Sequence, residues 1–138
     1  MQINIKTSGE NQAIVTQLTK KLTGGTKENV IARIALGYSL STGKRFTQQE
    51  FSAYDSQGKE YKDHILFDGQ YRDFYIALIC QAYGITKNDE LIPKYIKQHI
   101  DHGLKILPKD SIALKIEINT SQKVCFLVLL KSKWDIIS

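Results

Sequence analysis

The stretch Thr26-Lys27-Glu28-Asn29-Val30-Ile31-Ala32-Arg33-Ile34-Ala35-Leu36-Gly37-Tyr38-Ser39-Leu40 reads as a helix that is apolar almost all the way round. At about 100° per residue, Val30, Ile31, Ile34, Ala35 and Tyr38 fill one broad face and Leu36 and Leu40 lie nearly opposite. Only Asn29, Arg33 and Ser39 break the belt. A helix that is apolar on every side has to be covered on every side. A chain of 138 residues has few elements to do this, so the pattern predicts that sister copies supply part of the cover, with Val30, Arg33, Ile34, Leu36 and Leu40 at the interface. In so narrow a polar gap the Arg33 guanidinium needs a fixed partner, either a carboxylate across that interface or a phosphate.

Upstream, Gln2 to Thr7 alternates as a short strand, Ser8-Gly9 breaks it, and a helix from about Glu10 to Leu22 carries the stripe Ile14, Val15, Leu18, Leu22. Lys20 and Lys21 occupy its last turn, where cations suit the helix dipole. Gly24-Gly25 ends it, and Thr26 is a natural N-cap for the apolar helix. Downstream, Gly43 closes that helix before the basic pair Lys44-Arg45, and Thr47-x-x-Glu50 has capping-box spacing for a short turn bearing Phe51 and Tyr54. Asp55 to Lys62 reads as a polar loop. A helix over Gly69–Tyr83 turns Tyr71, Phe74, Tyr75, Leu78, Ile79 and Ala82 inward, and another runs from Asn88 or Asp89 to about Ile106, with Pro93 in its first turn. Beyond Pro108, alternation at Ile112, Leu114, Ile116 and Ile118 and the apolar run Val124–Leu130 predict a hairpin. The expected class is α+β, mainly α: a single domain over residues 1–138, with a helical core at about 10–107, a short N-terminal strand and a C-terminal β-hairpin extension at 108–138.

Charged residues make up 24% and hydrophobic ones 42%, ordinary for a globular protein. No apolar run approaches the roughly 18 residues of a membrane span, and the start lacks the basic-then-apolar layout of a secretory signal, so the expected location is cytoplasmic. Cys80 and Cys125 each sit among apolar neighbours and read as small buried hydrophobes. The net charge is +5, with nine Lys/Arg against six Asp/Glu in residues 1–64 and balance over 65–107. Such an excess permits binding to a polyanion, and oligomerisation would multiply it.

The residues best placed to hold phosphates are Lys20 and Lys21 before the apolar helix, Lys27 in its first turn, and Lys44 and Arg45 beyond its far end. His99 and His102 share a helix face with Asp101 adjacent, but two ligands are not a metal site; they read as hydrogen-bonded surface or interface histidines, and no metal or cofactor is expected. His64, Asp68 and Asp73 can be assembled into a nuclease constellation, since metal-assisted cleavage needs carboxylates near the scissile phosphate, yet their order fits no nuclease motif. The opening order strand, helix, glycine turn, helix also fits a ribbon-helix-helix transcription regulator, with Asn4 and Lys6 as readers. The aromatic set Tyr71, Phe74, Tyr75, Tyr83 has the spacing of a helix core rather than of a base-stacking platform.

Leu18 through Lys21, Thr23-Gly24, Thr26, Asn29, Arg33-Ile34-Ala35-Leu36 and Ser39-Leu40, followed by Ile65-Leu66-Phe67-Asp68-Gly69 and His99-Ile100-Asp101-His102-Gly103-Leu104, resemble the DndE family, the small subunit of bacterial DNA phosphorothioation systems. The resemblance spans roughly residues 10–107 and is most specific at Asn-x-x-x-Arg-Ile-Ala-Leu. It implies a mainly helical homotetramer that binds double-stranded DNA, preferably nicked. Such a protein acts beside a cysteine desulfurase and the other subunits that exchange a phosphate oxygen for sulfur. The tail after Pro108 departs from the pattern. Together these readings point to a non-catalytic DNA-binding subunit, with a metal-dependent nicking enzyme and a ribbon-helix-helix regulator as the alternatives.

Overall fold

In a computed structural model describing residues 2–23, 28–67 and 71–108, the chain runs through β1 (Ile5–Lys6), a 3₁₀ turn (Gly9–Asn11), α1 (Gln12–Thr23) and α2 (Glu28–Ser41). It continues through a second 3₁₀ turn (Gln48–Ser52), β2 (Glu60–Tyr61), the single turn α3 (Asp63–Leu66), α4 (Tyr71–Tyr83) and α5 (Ile92–Ile106). The mainly helical α+β reading holds for these residues. Lys27, Asp68, Cys125 and the expected hairpin lie outside them.

The cover for α2 comes chiefly from α5. Ile31, Ala32, Ala35 and Leu36 are fully buried and Leu40 is 7% exposed within the single chain. They pack in one core with Ile92, Ile96, Ile100 and Leu104 of α5. The two helices meet at small residues: a Cβ added to Gly103 would lie 2.0 Å from the Ala35 carbonyl oxygen and 2.6 Å from its carbon. Only glycine allows two backbones this close. Of the belt expected to be covered in part by sister copies, the α5-facing side is therefore covered within the chain. Leu36 is fully enclosed by its own chain and Leu40 nearly so, whereas Val30, Arg33 and Ile34 remain half-exposed.

The alternation read at the N-terminus is present, with Ile3, Ile5 and Thr7 buried and Gln2, Asn4 and Lys6 exposed. β1 pairs antiparallel with β2, Ile5 opposite Tyr61 and Lys6 opposite Glu60. β2 falls in the stretch expected to be a polar loop. Its signal is weak because only Tyr61 points inward, and tertiary pairing rather than propensity makes it a strand. This pairing within one chain also removes the main support for the ribbon-helix-helix reading, in which the opening strand pairs with that of a second copy. At the ribbon's edge Gly58 donates its N–H to the Thr7 carbonyl at 2.8 Å; a side chain there would strike Ser8 O at 2.5 Å.

Asp101 ties the N-terminal segment to α5. Fully buried, it accepts from Ser8 N–H at 2.9 Å, from the Asn11 amide at 2.8 Å and from Lys97 Nζ at 2.6 Å. A buried charge survives when paired and hydrogen-bonded on all sides, and here that requirement fixes the start of α1 over α5.

Candidate nucleic-acid interface

The expected phosphate-binding residues fall into two groups at opposite ends of α2. Lys20 and Lys21 are exposed in the last turn of α1, eight and seven residues before Glu28 opens α2, while Lys44 and Arg45 are exposed just past its C-terminus. α2, with 14 residues at 1.5 Å each, is ~21 Å long. Lys27, in the connection, is not among the described residues.

The Lys44–Arg45 end is the more built of the two. Lys44 Nζ lies 3.6 Å from Glu50 Oε2 and 5.2 Å from the centre of the Phe46 ring. Glu50 itself accepts from the Thr47 N–H at 3.3 Å, realising the capping-box spacing, and that backbone bond, with Lys44 adding to it, holds its carboxyl below the usual carboxylate range. Arg45 donates to the Lys44 carbonyl at 2.8 Å and its guanidinium carbon stands 5.9 Å from the Tyr83 ring centre.

Beneath the pair runs a chain of polar groups that the sequence reading did not assemble. Tyr83 Oη accepts from Phe46 N–H at 3.0 Å and lies 2.7 Å from His99 Nε2. His99 Nδ1 and His102 Nδ1 are each 2.7 Å from the Ser39 hydroxyl. Phe46, 7% exposed, meets both imidazoles edge-on at 4.9 and 5.6 Å. His99 is fully buried, correcting its expected place at a surface or interface. Burial above all, then Arg45 and His102, drives its pKa down to about 3. Burial and then Lys44 lower that of half-exposed His102. Both imidazoles are thus neutral near pH 7, with the Ser39 hydroxyl hydrogen-bonded between them. No group of three or more His, Cys, Asp or Glu is gathered for a metal among the described residues.

The other breaks in the apolar belt have their own partners. Asn29 donates to the Ile65 carbonyl at 3.1 Å and Arg33 to the Leu66 carbonyl at 2.8 Å. The Arg33 guanidinium also lies 4.6 Å from the Tyr71 ring centre. One helical turn apart, these side chains clamp two consecutive carbonyls at the end of α3, which that short helix cannot satisfy itself. For Arg33 the sequence predicts a carboxylate of another subunit or a phosphate; its hydrogen-bond partner among the described residues is a backbone carbonyl of its own chain. A neutral carbonyl suffices because the group is only partly withdrawn from water. Of the nuclease constellation, Asp68 lies outside the described residues. His64 and Asp73 are exposed on separate helices, and the carboxylate in use nearby is Asp63, which accepts from Arg72 Nε at 3.0 Å and Ile3 N–H at 2.9 Å.

Asn29, Arg33 and Ser39 therefore each join α2 to a segment distant in sequence, Ile65–Leu66 or His99–His102. Among curated proteins, none matches the chain. The model of the family described as DNA sulphur modification protein DndE matches residues 4–114, an interval that contains α2, its clamps and the whole histidine cluster. The chain belongs to the DndE family of DNA sulphur modification proteins.

Proposed function

We propose that this chain is the non-catalytic DNA-binding subunit of a DNA phosphorothioation system. In this reading it holds a duplex, preferably one with a nicked strand, by its phosphate backbone and works beside the subunits that carry out sulfur transfer. The contacts are Lys20, Lys21, Lys27, Lys44 and Arg45. The observation that carries the reading is the exposed Lys44–Arg45 pair mounted on buried Phe46 and His99 and half-buried Tyr83 and His102. A cation presented from a rigid base loses less side-chain freedom on binding than one on a mobile loop.

The reading includes self-association, to a tetramer. What remains for it is the half-exposed strip Val30, Arg33 and Ile34, next to Ile65 at 48% and Tyr71 at 40% exposure. Apolar side chains exposed together in this way favour a second copy.

Fluorescence anisotropy with intact and nicked duplexes of one sequence, alongside light scattering, tests the reading. Binding without turnover, tighter on the nicked duplex, by a species several times 15.7 kDa is expected. No binding at low salt would end it, and steady nicking of supercoiled plasmid with Mg²⁺, abolished by Asp68→Ala, would replace it with a nicking enzyme.

A further inference from the structure

The four-membered chain Tyr83, His99, Ser39, His102 has a direction. Tyr83 Oη already accepts the Phe46 N–H at 3.0 Å. If His99 also donated to it, the phenolic proton would have no acceptor among the described residues, at a half-buried site. The alternative satisfies every group with one proton per link. Tyr83 donates to His99 Nε2, His99 Nδ1–H donates to Ser39 Oγ, and the Ser39 hydroxyl donates to His102 Nδ1. A neutral imidazole carries one N–H, so His102 keeps its proton on Nε2. That nitrogen has no hydrogen-bond partner among the described residues, and its ring is half-exposed next to Lys44.

We propose that Tyr83, His99, Ser39 and His102 form a relay that fixes the proton of His102 on Nε2, and that this N–H is a further contact for a DNA phosphate beside Lys44 and Arg45. The proposal rests on the reading that Lys44 and Arg45 meet the DNA backbone. A neutral N–H adds direction to a site whose lysine and arginine supply charge. It also explains why a seryl hydroxyl is placed between two histidines rather than an aliphatic group that would pack equally well.

Two measurements test it. Long-range ¹⁵N–¹H NMR of the free, full chain reports the tautomer of each imidazole without any variant. Opposite tautomers are expected: Nδ1–H at His99, the form a free histidine side chain disfavours, and Nε2–H at His102. The reverse pair would overturn the relay. DNA binding is then measured for His102→Asn, whose amide can reach Ser39 but not outward, and for His102→Gln, whose amide stands near the Nε2 position. His102→Asn is expected to bind about tenfold more weakly, the loss of one hydrogen bond to a charged group, and His102→Gln to stay within roughly twofold. Retention of the His99 signals in each variant shows that the fold is intact. Lys44→Ala with Arg45→Ala separates the two ideas: if that pair binds like the parent, the DNA reading of this patch fails. If the pair weakens binding and His102→Asn does not, the histidine contact alone is wrong.

Discussion

Replacing Gly103 by alanine tests the packing on which the fold depends. In an exposed helix this change is favourable by about 1 kcal/mol, because alanine is the better helix former. Here the new Cβ would lie 2.0 Å from the Ala35 carbonyl oxygen and 2.9 Å from its Cα. Both atoms are backbone, so no rotamer change relieves the clash and α5 must withdraw from α2 by about 1 Å. A gap of that size forfeits a quarter to a half of the dispersion attraction along the contact, and forced overpacking costs ~1–3 kcal/mol or more. The contact is shared by Ile31, Ala32, Ala35, Leu36, Ile100 and Leu104, all fully buried. The net loss is expected to be ~3 kcal/mol. With a urea slope of about 1.5 kcal/mol per molar, the unfolding midpoint falls by roughly 2 M. A midpoint equal to or above that of the parent would show that the helices do not meet here, and would return the cover of α2 to sister chains.

Asp101→Ala removes the acceptor from Ser8 N–H, the Asn11 amide and Lys97 at once, and breaking a buried pair of this kind costs ~3–5 kcal/mol, measurable in the same urea titration. Arg33→Ala loses a hydrogen bond to Leu66 O and a stack on Tyr71, an expected ~1–2 kcal/mol seen as a lower Tm at every protein concentration. A loss that appears only on dilution would place Arg33 across an interface instead. Acid should destabilise the fold in a window set by histidine. The folded chain keeps His99 neutral down to about pH 3, while the unfolded chain takes up that proton below about 6.5. Stability present at pH 7.5 is therefore lost as pH falls, by ~2 kcal/mol at pH 5 from this residue, with the lowered pKa of His102 acting in the same direction. Urea midpoints that match at the two pH values would mean His99 is protonated within the fold.

Most of the helical order was legible in the sequence because the relevant signals are local. The stripe in α1, Pro93 at the start of α5, and the Thr47–Glu50 spacing each announce an element from a few neighbouring residues. The cover of α2 was not legible. It depends on Gly103 admitting a backbone approach from a helix more than sixty residues away, and nothing in the 28–41 segment records that partner. The three polar breaks in the belt were visible as exceptions, yet their partners, the Ile65 and Leu66 carbonyls and the two histidines, are joined to them only by the fold. Backbone carbonyls carry no sequence signal at all, so the Leu66 carbonyl that Arg33 binds is not foreseeable from the sequence. Of the candidate site, the exposure of Lys20, Lys21, Lys44 and Arg45 followed from their positions at helix ends. The base beneath Lys44 and Arg45 draws on Ser39, Phe46, Tyr83, His99 and His102 from different elements. The spacing of the histidines on one face was the one available hint.

The dependence of duplex affinity on salt measures the proposed phosphate grip most directly, because each neutralised phosphate adds about 0.9 to the slope of log K against log salt concentration. With Lys20, Lys21, Lys27, Lys44 and Arg45 all engaged, the slope expected per bound chain is roughly −4.5, and Lys44→Ala with Arg45→Ala should flatten it by about 1.8. A slope unchanged by that pair of substitutions, or affinity indifferent to salt, would contradict the grip.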